Sequence, residues 1–333
     1  MEEGEYRIVM QKPGKSHYNE CSAYRTVSVT SCLGKRLEHI TSQRLIAILK
    51  SQNFDVDQFA YLKNRSVTQA ILIVAEKIKK ALVQGDKAGA VFFDFTDAFG
   101  SVDRKRLIIK INRDFGVTGR LLLHIHSFLK DRLARIKIHV CDNVGEWIES
   151  LLGTSAGTSL GPLLFIVHVH DVPNIITPKF ADDMVTIAVG KDVCQIEESL
   201  QNATNQLIQW AERQGMELNA LKTKVMLFGD TSNKVSVKIN DKVLECVTSF
   251  KYLGVLLDTQ MDFSLHVDYA ALKAKRAMAK VATLINERKG SLYVLELIYI
   301  RPWFVLIWNM QFQCGPALQT NKSINSRVFR FSV

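Results

Sequence analysis

The chain has 333 residues, 47% hydrophobic and 23% charged, with 43 Lys+Arg against 33 Asp+Glu and a formal net charge of +10. That length and balance suit two or three packed units with a sizeable core and exclude a disordered or fibrous chain. The basic surplus favours a polyanionic partner, nucleic acid or an anionic membrane surface, although a basic protein with no such partner carries the same total.

Cys21, Cys32, Cys141, Cys194, Cys246 and Cys314 are scattered, with no C-x-x-C pair. Their spacing argues against a disulfide scaffold or structural zinc and for reduced thiols in an intracellular protein, nuclear or cytoplasmic. The polar stretch from Met1 to Glu20 is not a secretory signal. In chain order, Ala70, Val74, Ile78 and Leu82 predict a helix over Ser66 to Val83. A second helix is expected over Arg104 to Lys130, then a hairpin of strands 134–140 and 146–152 turning through Cys141 to Gly145. Val193, Ile196, Leu200, Ala203, Leu207 and Trp210 recur at steps of three and four, predicting a helix from Asp192 to Gln214 that Gly215 stops. Short strands are expected at 223–229, 235–240, 242–247 and 250–257. A helix from Leu265 to Lys289 follows, basic through Lys273, Lys275, Arg276 and Lys280. The apolar stretch from Ser291 to Trp308 includes Glu296, Arg301 and Pro302, and reads as a buried element rather than a membrane span. Strands and helices in this irregular order predict an α+β fold.

Two segments put acids inside apolar runs. Residues 89–93 are an apolar strand run ending in Asp94, with Phe99 five residues on; Asp182 and Asp183 interrupt the run from Phe180 to Val189. Burying an unpaired carboxylate costs several kcal/mol, so such acids need a compensating cation. Hard oxygen ligands select Mg²⁺ or Mn²⁺, and two such ions can clamp the attacking and leaving oxygens of a phosphoryl transfer. The bland alternatives stay open on these residues alone. Asp182-Asp183 could be an exposed hairpin tip, Asp94 a strand-end aspartate and Phe99 a core aromatic.

Taken together, the segments resemble the reverse transcriptases of jockey-like, LINE-type non-LTR retrotransposons. Residues 24–31 (YRTVSVTS) and 58–66 (QFAYLKNRS) resemble fingers segments. Residues 93–99 (FDFTDAF), 153–165 (GTSAGTSLGPLLF) and 180–183 (FADD) resemble polymerase motifs A, B and C. Residues 218–228 (LNALKTKVMLF) and 250–258 (FKYLGVLLD) resemble motifs D and E. A lone FADD is weak evidence, but this many motifs in family order are not a chance match.

The resemblance implies a right-hand polymerase fold: fingers, a small antiparallel palm sheet backed by helices, and an incomplete thumb. It divides the chain into fingers at 1–86, motif A at 87–103, a helix and hairpin at 104–150, motifs B to E at 151–260 and a partial thumb at 261–333. It makes Asp94, Asp182 and Asp183 the catalytic acids and ligands of two Mg²⁺ or Mn²⁺ ions, with Lys222 beside the triphosphate as a cation or proton donor. Phe99 would lie under the sugar and select dNTPs. Arg25, Lys63 and Arg65 would contact phosphates or template, and Gly153 and Gly157 would let the backbone approach the nucleotide. Tyr252, Leu253 and Gly254 would support the primer end. The implied partners are an RNA template, a DNA primer and dNTPs, with no membrane and with the endonuclease module elsewhere in the parent element.

The chain departs from the family pattern in three places. Gly100 stands where motif A has Asp, Ser155-Ala156 where motif B has Pro-Gln, and the likeness fades after Tyr299-Ile300-Arg301-Pro302. These departures leave a second expectation beside RNA-directed DNA polymerase: a decayed relic that folds and binds nucleic acid without polymerising. A phosphatase using Asp94 as nucleophile is set aside, because position 96 is Thr where that chemistry needs a second Asp.

Overall fold

The computed structural model describes the chain from residue 5 to residue 287, apart from residues 13–16, 21–22, 53, 55, 131, 139–143, 151, 155–156 and 231–232. The chain divides into two compact units, Met1–Leu227 with Ser232–Val247, and Phe228–Thr231 with Thr248–Val333.

In the first unit, β1 (Glu5–Gln11) pairs antiparallel with β2 (Tyr24–Val29), setting Met10 opposite Arg25. Ser31 starts α1 (Cys32–Ser51) and Ser66 starts α2 (Val67–Val83). Each hydroxyl accepts a backbone N–H three residues on, satisfying one of the free donors of the first turn. The expected spacing holds in α2, which buries Ala70, Val74 and Ile78. After β3 (Lys87–Phe93) and β4 (Phe95–Thr96), the helix expected from Arg104 to Lys130 is in fact two, α3 (Arg104–Phe115) and α4 (Gly119–Leu129). The break is at Gly116, whose φ of 61° ends α3 in a left-handed cap, with Asn112 Nδ2 donating to the Val117 carbonyl at 3.0 Å.

The hairpin of β5 (Leu133–Ile138) and β6 (Val144–Glu149) pairs Leu133 with Glu149, and β1 runs parallel to β5, giving a sheet of order β2-β1-β5-β6. Most of the expected turn lies outside the described residues. Then come α5 (Gly161–His168), β7 (Lys179–Phe180), β8 (Asp183–Gly190), α6 (Val193–Gln214), β9 (Glu217–Leu218) and β10 (Lys224–Phe228). The strand expected at 235–240 is only β11 (Lys238–Ile239), and 242–247 splits into β12 (Lys242–Val243) and β13 (Glu245–Cys246).

The central sheet has the order β13-β10-β3-β8-β7. Its β3–β8 and β7–β8 pairs are antiparallel, but β10 and β13 run parallel, so the sheet is mixed rather than wholly antiparallel. Gly215 ends α6 with a φ of 72°, and the predicted stripe buries Ile196, Leu200, Ala203, Leu207 and Trp210. Beneath it, Lys110 Nζ donates to Asp171 Oδ1 at 2.7 Å and to the His168 carbonyl at 2.6 Å. Trp210 Nε1 donates to the same Asp171 oxygen at 3.0 Å. One carboxylate thus ties α3 and α6 to the end of α5, which holds the central sheet's helical backing in one arrangement.

In the second unit, β14 (Ser249–Tyr252) and β15 (Val255–Asp258) form a hairpin, and α7 (Ser264–Glu287) is the expected basic helix. The hairpin turns on Leu253 (φ 46°) and Gly254 (φ 90°), both left-handed as a two-residue turn requires. Glycine accepts this and leucine does not. Leu253→Asn is therefore expected to raise stability by about 0.5–1 kcal/mol, read as a higher midpoint in urea. Unchanged or lower stability would show that the Leu253 side chain gives back more than its backbone costs. No described helix is long and apolar enough to cross a membrane.

Candidate active site

The acids are brought together by strand register. Phe93 of β3 faces Met184 of β8, and the strands are antiparallel, so Asp94 continues toward Asp183. Phe180 pairs with Asp183, which leaves Ala181-Asp182 as a two-residue turn. Ala181 has a φ of 56°, a conformation that costs a residue with a Cβ roughly 1–2 kcal/mol. Gln58 holds it there. Its Oε1 accepts the N–H of Ala181 at 3.0 Å and of Ala60 at 2.9 Å, and the side chain is fully buried. The strap continues as Phe59 N–H donates to the Lys179 carbonyl (2.8 Å) and Lys179 N–H to the Asp57 carbonyl (2.9 Å). The 58–66 segment is thus stitched to the strand that carries the acids. The sequence reading included Gln58 in a motif but missed this role, because the partner lies 123 residues away.

Burial, then the charge of Asp94, pushes the Asp182 carboxyl up, against the pull of a backbone hydrogen bond. Burial, then Asp182 and Asp94, pushes Asp183 up to about 6. Asp183 keeps an open surface, and water there relieves part of the burial cost, so mutual repulsion is the part that persists. Tyr61, missed in the sequence, faces the same field: burial and then Asp182 and Asp183 raise its phenol. Its φ of 58° is also left-handed.

Asp94 is fixed from the motif D side. Its N–H donates to Thr223 Oγ1 at 3.2 Å and its carbonyl accepts the Asn219 N–H at 2.8 Å. Asn219 Oδ1 accepts the N–H groups of Leu221 and Lys222, a local turn that brings Lys222 Nζ to 3.3 Å from Asp94 Oδ2. That contact is within ion-pair range but is not aligned as a hydrogen bond, so among the described residues the buried Oδ2 has no hydrogen-bond donor. We take the ion pair as real and weak, since Lys222 is largely exposed. The Lys222 ammonium stands where a counter-cation belongs.

Three hard-oxygen donors with mutual repulsion and one buried oxygen without a donor fit a divalent cation such as Mg²⁺ or Mn²⁺. Among the described residues no group of three His, Cys, Asp or Glu side chains is placed to hold a metal ion as it stands. An ion would therefore draw the carboxylates in and take further oxygens from water or substrate.

Phe99 lies stacked on Phe165, ring centroids 4.2 Å apart and planes 21° from parallel. The two motif B glycines serve close protein contacts. A Cβ on Gly153 (φ +86°) would fall 2.9 Å from the Gly100 Cα and the Phe99 carbonyl. One on Gly157 (φ +97°) would fall 2.7 Å from the Ser28 carbonyl of β2. These glycines let the loop press against motif A and the fingers strand. Arg104, also missed, donates from Nε to the Gly153 carbonyl (2.9 Å) and from its terminal nitrogens to the carbonyls of Leu129, Ser150 and Leu152. At Gly100, a Cβ would fall 2.1 Å from Asp97 Oδ2, so the Asp97 carboxylate occupies the room the family's Asp would need. Ser155 and Ala156 lie outside the described residues.

The fingers cations differ among themselves. Arg25 on β2 and Lys63 are exposed. Arg65 is engaged locally, donating to the Val56 carbonyl and lying 5.0 Å over the Phe59 ring. Tyr252, Leu253 and Gly254 belong to the second unit, where Tyr252 is buried.

Residues 10–257 match the family model described as reverse transcriptase (RNA-dependent DNA polymerase). The chain is 25% identical over 84% of its length to the RNA-directed DNA polymerase from mobile element jockey of Drosophila melanogaster, covering 32% of that protein. It is 25% identical over 97% of its length to the probable RNA-directed DNA polymerase from transposon X-element of the same species, covering 37% of it. The probable RNA-directed DNA polymerase from transposon BS, also of D. melanogaster, matches at 24% over 91% of the chain and 35% of its own length. The chain therefore spans about a third of the length of these relatives. Among solved structures, apo telomerase from Candida tropicalis aligns with 77% of the chain and 56% of its own, at 11% identity and a TM-score of 0.47.

Proposed function

The chain belongs to the reverse transcriptase family, and on that premise we propose that it carries the fingers and palm of a retrotransposon's RNA-directed DNA polymerase, extending a DNA primer on an RNA template from dNTPs. One observation carries the reading: Asp94, Asp182 and Asp183 meet at the end of a central strand pair and repel one another. In this reading the three carboxylates hold two Mg²⁺ or Mn²⁺ ions. When bound, the ions supply charge neutralisation for the attacking 3′-hydroxyl and the leaving pyrophosphate.

The chain's own residues do the rest. Gln58 and Thr223 keep the acids' backbones from shifting. Lys222, released from Asp94, turns to the triphosphate as a cation or proton donor. Phe99, braced by Phe165, presents a ring edge that a 2′-hydroxyl would strike. Arg25, Lys63 and Arg65 meet phosphates or template, with Arg65 giving up its local contacts. Gly153 and Gly157 let the backbone of the pocket loop approach the nucleotide, and Tyr252, Leu253 and Gly254 support the primer end. In this reading residues 1–86 are the N-terminal part of the fingers, 87–103 palm motif A, 104–150 a fingers/palm helix and hairpin, 151–260 palm motifs B to E and 261–333 a partial thumb.

The test is primer extension on an RNA template with Mg²⁺ or Mn²⁺. Template-dependent incorporation of dNTPs is expected. A protein that binds the hybrid but never extends it is the decayed relic, and one that binds no hybrid is neither. Binding is expected to weaken steeply with salt, roughly 10³-fold or more between 50 and 200 mM if about six phosphates are gripped, with little preference for base sequence. A flat salt response would remove the nucleic-acid reading altogether.

A further inference from the structure

Glu38 is an acid that the polymerase chemistry does not use, and it is 5% exposed in the middle of α1. Its Oε2 accepts the N–H of Ser159 at 2.7 Å and, more weakly, that of Leu160 at 3.4 Å, while Oε1 accepts the Thr30 hydroxyl at 3.1 Å. Ser159 and Leu160 immediately precede α5, whose N-cap Leu160 has no side-chain cap of its own. The first helical N–H of α5, on Gly161, donates to the Thr158 hydroxyl at 3.1 Å, so Glu38 does not cap the first turn but ties the two residues leading into α5 to another helix by a charge-assisted hydrogen bond.

The loop it ties down is the one that forms the nucleotide pocket in the proposed function. At its near end Gly153 rests on Phe99 and Gly100, with the Thr154 N–H donating to the Phe99 carbonyl at 2.9 Å. At its far end Gly157 rests on the backbone of Ser28 in β2, one turn of chain from Thr30. Past it, α5 carries Phe165, which supports Phe99. Without Glu38 the Ser159 and Leu160 N–H groups lose that acceptor, while the Gly161 N–H keeps the Thr158 hydroxyl at 3.1 Å.

We propose that Glu38 is a positioning residue for nucleotide binding: it pins residues 157–160 and the start of α5 to the fingers, and so sets the floor against which the incoming nucleotide lies. The inference rests on the polymerase reading and adds a residue to it.

The test measures dTTP affinity for the full chain on a dideoxy-terminated DNA primer annealed to an RNA template, for wild type, Glu38→Gln and Glu38→Leu. Amide exchange at Ser159 and Leu160 and the single-turnover rate at saturating dTTP on an extendable primer are followed in parallel. Glu38→Leu is expected to weaken dTTP by roughly 10- to 100-fold, the loss of a charge-assisted hydrogen bond, with faster exchange at Ser159. Its rate at saturating dTTP should stay within about threefold of wild type, because the acids are untouched. Glu38→Gln, keeping one acceptor oxygen, should lose less than about tenfold.

A folded Glu38→Leu protein with wild-type dTTP affinity overturns the proposal, as does a loss confined to the saturated rate. If Glu38→Leu does not fold, Glu38→Gln decides. Weaker dTTP binding with faster Ser159 exchange supports the proposal, and faster exchange with unchanged affinity overturns it. If wild type binds no dTTP, the polymerase reading fails and takes this inference with it. Wild-type binding that is indifferent to both substitutions removes the inference alone.

Discussion

Asp182→Asn is expected to abolish primer extension, by roughly 10³-fold or more, while leaving the metal-free protein at least as stable as wild type. The two effects have one cause. Burial and the nearby acid raise the carboxyl of Asp182, and Asp183 is pushed from 3.8 to about 6 by burial and the charges of Asp182 and Asp94. An acid whose folded pKa lies above its unfolded value holds its proton more tightly when folded. The stability it lends is therefore present below pH 3.8 and is lost as pH rises through about 6. At pH 7 the acids oppose folding and Asn does not. Asp182→Asn removes one buried charge and its repulsion of Asp183, but not the burial of Asp183 itself, so only part of the strain at the site is relieved.

Thermal melts from pH 4 to 8 without divalent ions, paired with extension assays, check both halves. Adding Mg²⁺ should stabilise wild type and not Asp182→Asn. If the substitution destabilises the metal-free protein at pH 7, the acids are held by partners within the protein. A catalytic cation is then not what their arrangement requires.

Gly157→Ala is expected to damage the pocket more than any glycine change made in open space. Two penalties add there. The φ of +97° is unfavourable for alanine, costing about 1–2 kcal/mol. The new Cβ would also sit 2.7 Å from the Ser28 carbonyl, a backbone atom that cannot swing aside, adding about 1–3 kcal/mol of overpacking. Gly215→Ala is the matched control, since Gly215 has a φ of +72° with nothing within 4 Å of its Cβ position. The difference between the two, measured in urea, isolates the close approach of the loop to β2. A weakened dTTP affinity should follow only for Gly157→Ala. Equal costs for both substitutions would show that the loop yields freely, and that β2 does not set its position.

Much of this was legible in the chain itself. The stripe from Val193 to Trp210, the starts at Ser66 and Asp192 and the stop at Gly215 predicted α2 and α6 closely, because periodicity and caps act over a few residues. One long helix was expected where α3 and α4 stand, because the 104–130 pattern is apolar on both sides of Gly116. The left-handed cap there outweighed the continuing periodicity. The strands after 235 came out shorter than their β-branched residues suggested. Strand propensity is realised only where a neighbour offers a ladder, and β11 pairs with β12 alone in a two-stranded sheet.

By itself the sequence pointed to candidate residues. Acids interrupting apolar runs, in the order of a known motif set, single out Asp94, Asp182 and Asp183 as the proposed metal-holding groups, since burying an unpaired charge is costly in any such run. Only the tertiary structure decided how those residues are held. Gln58 meets Ala181 across 123 positions and Glu38 meets Ser159 across 121. Thr223 meets Asp94 across 129, and Gly157 is a glycine because of a carbonyl on another strand. Each is a polar or small residue whose local pattern says turn, surface or loop. A hydrogen bond or a close approach has no period along the chain, so such contacts exist only once register and packing have brought distant segments together.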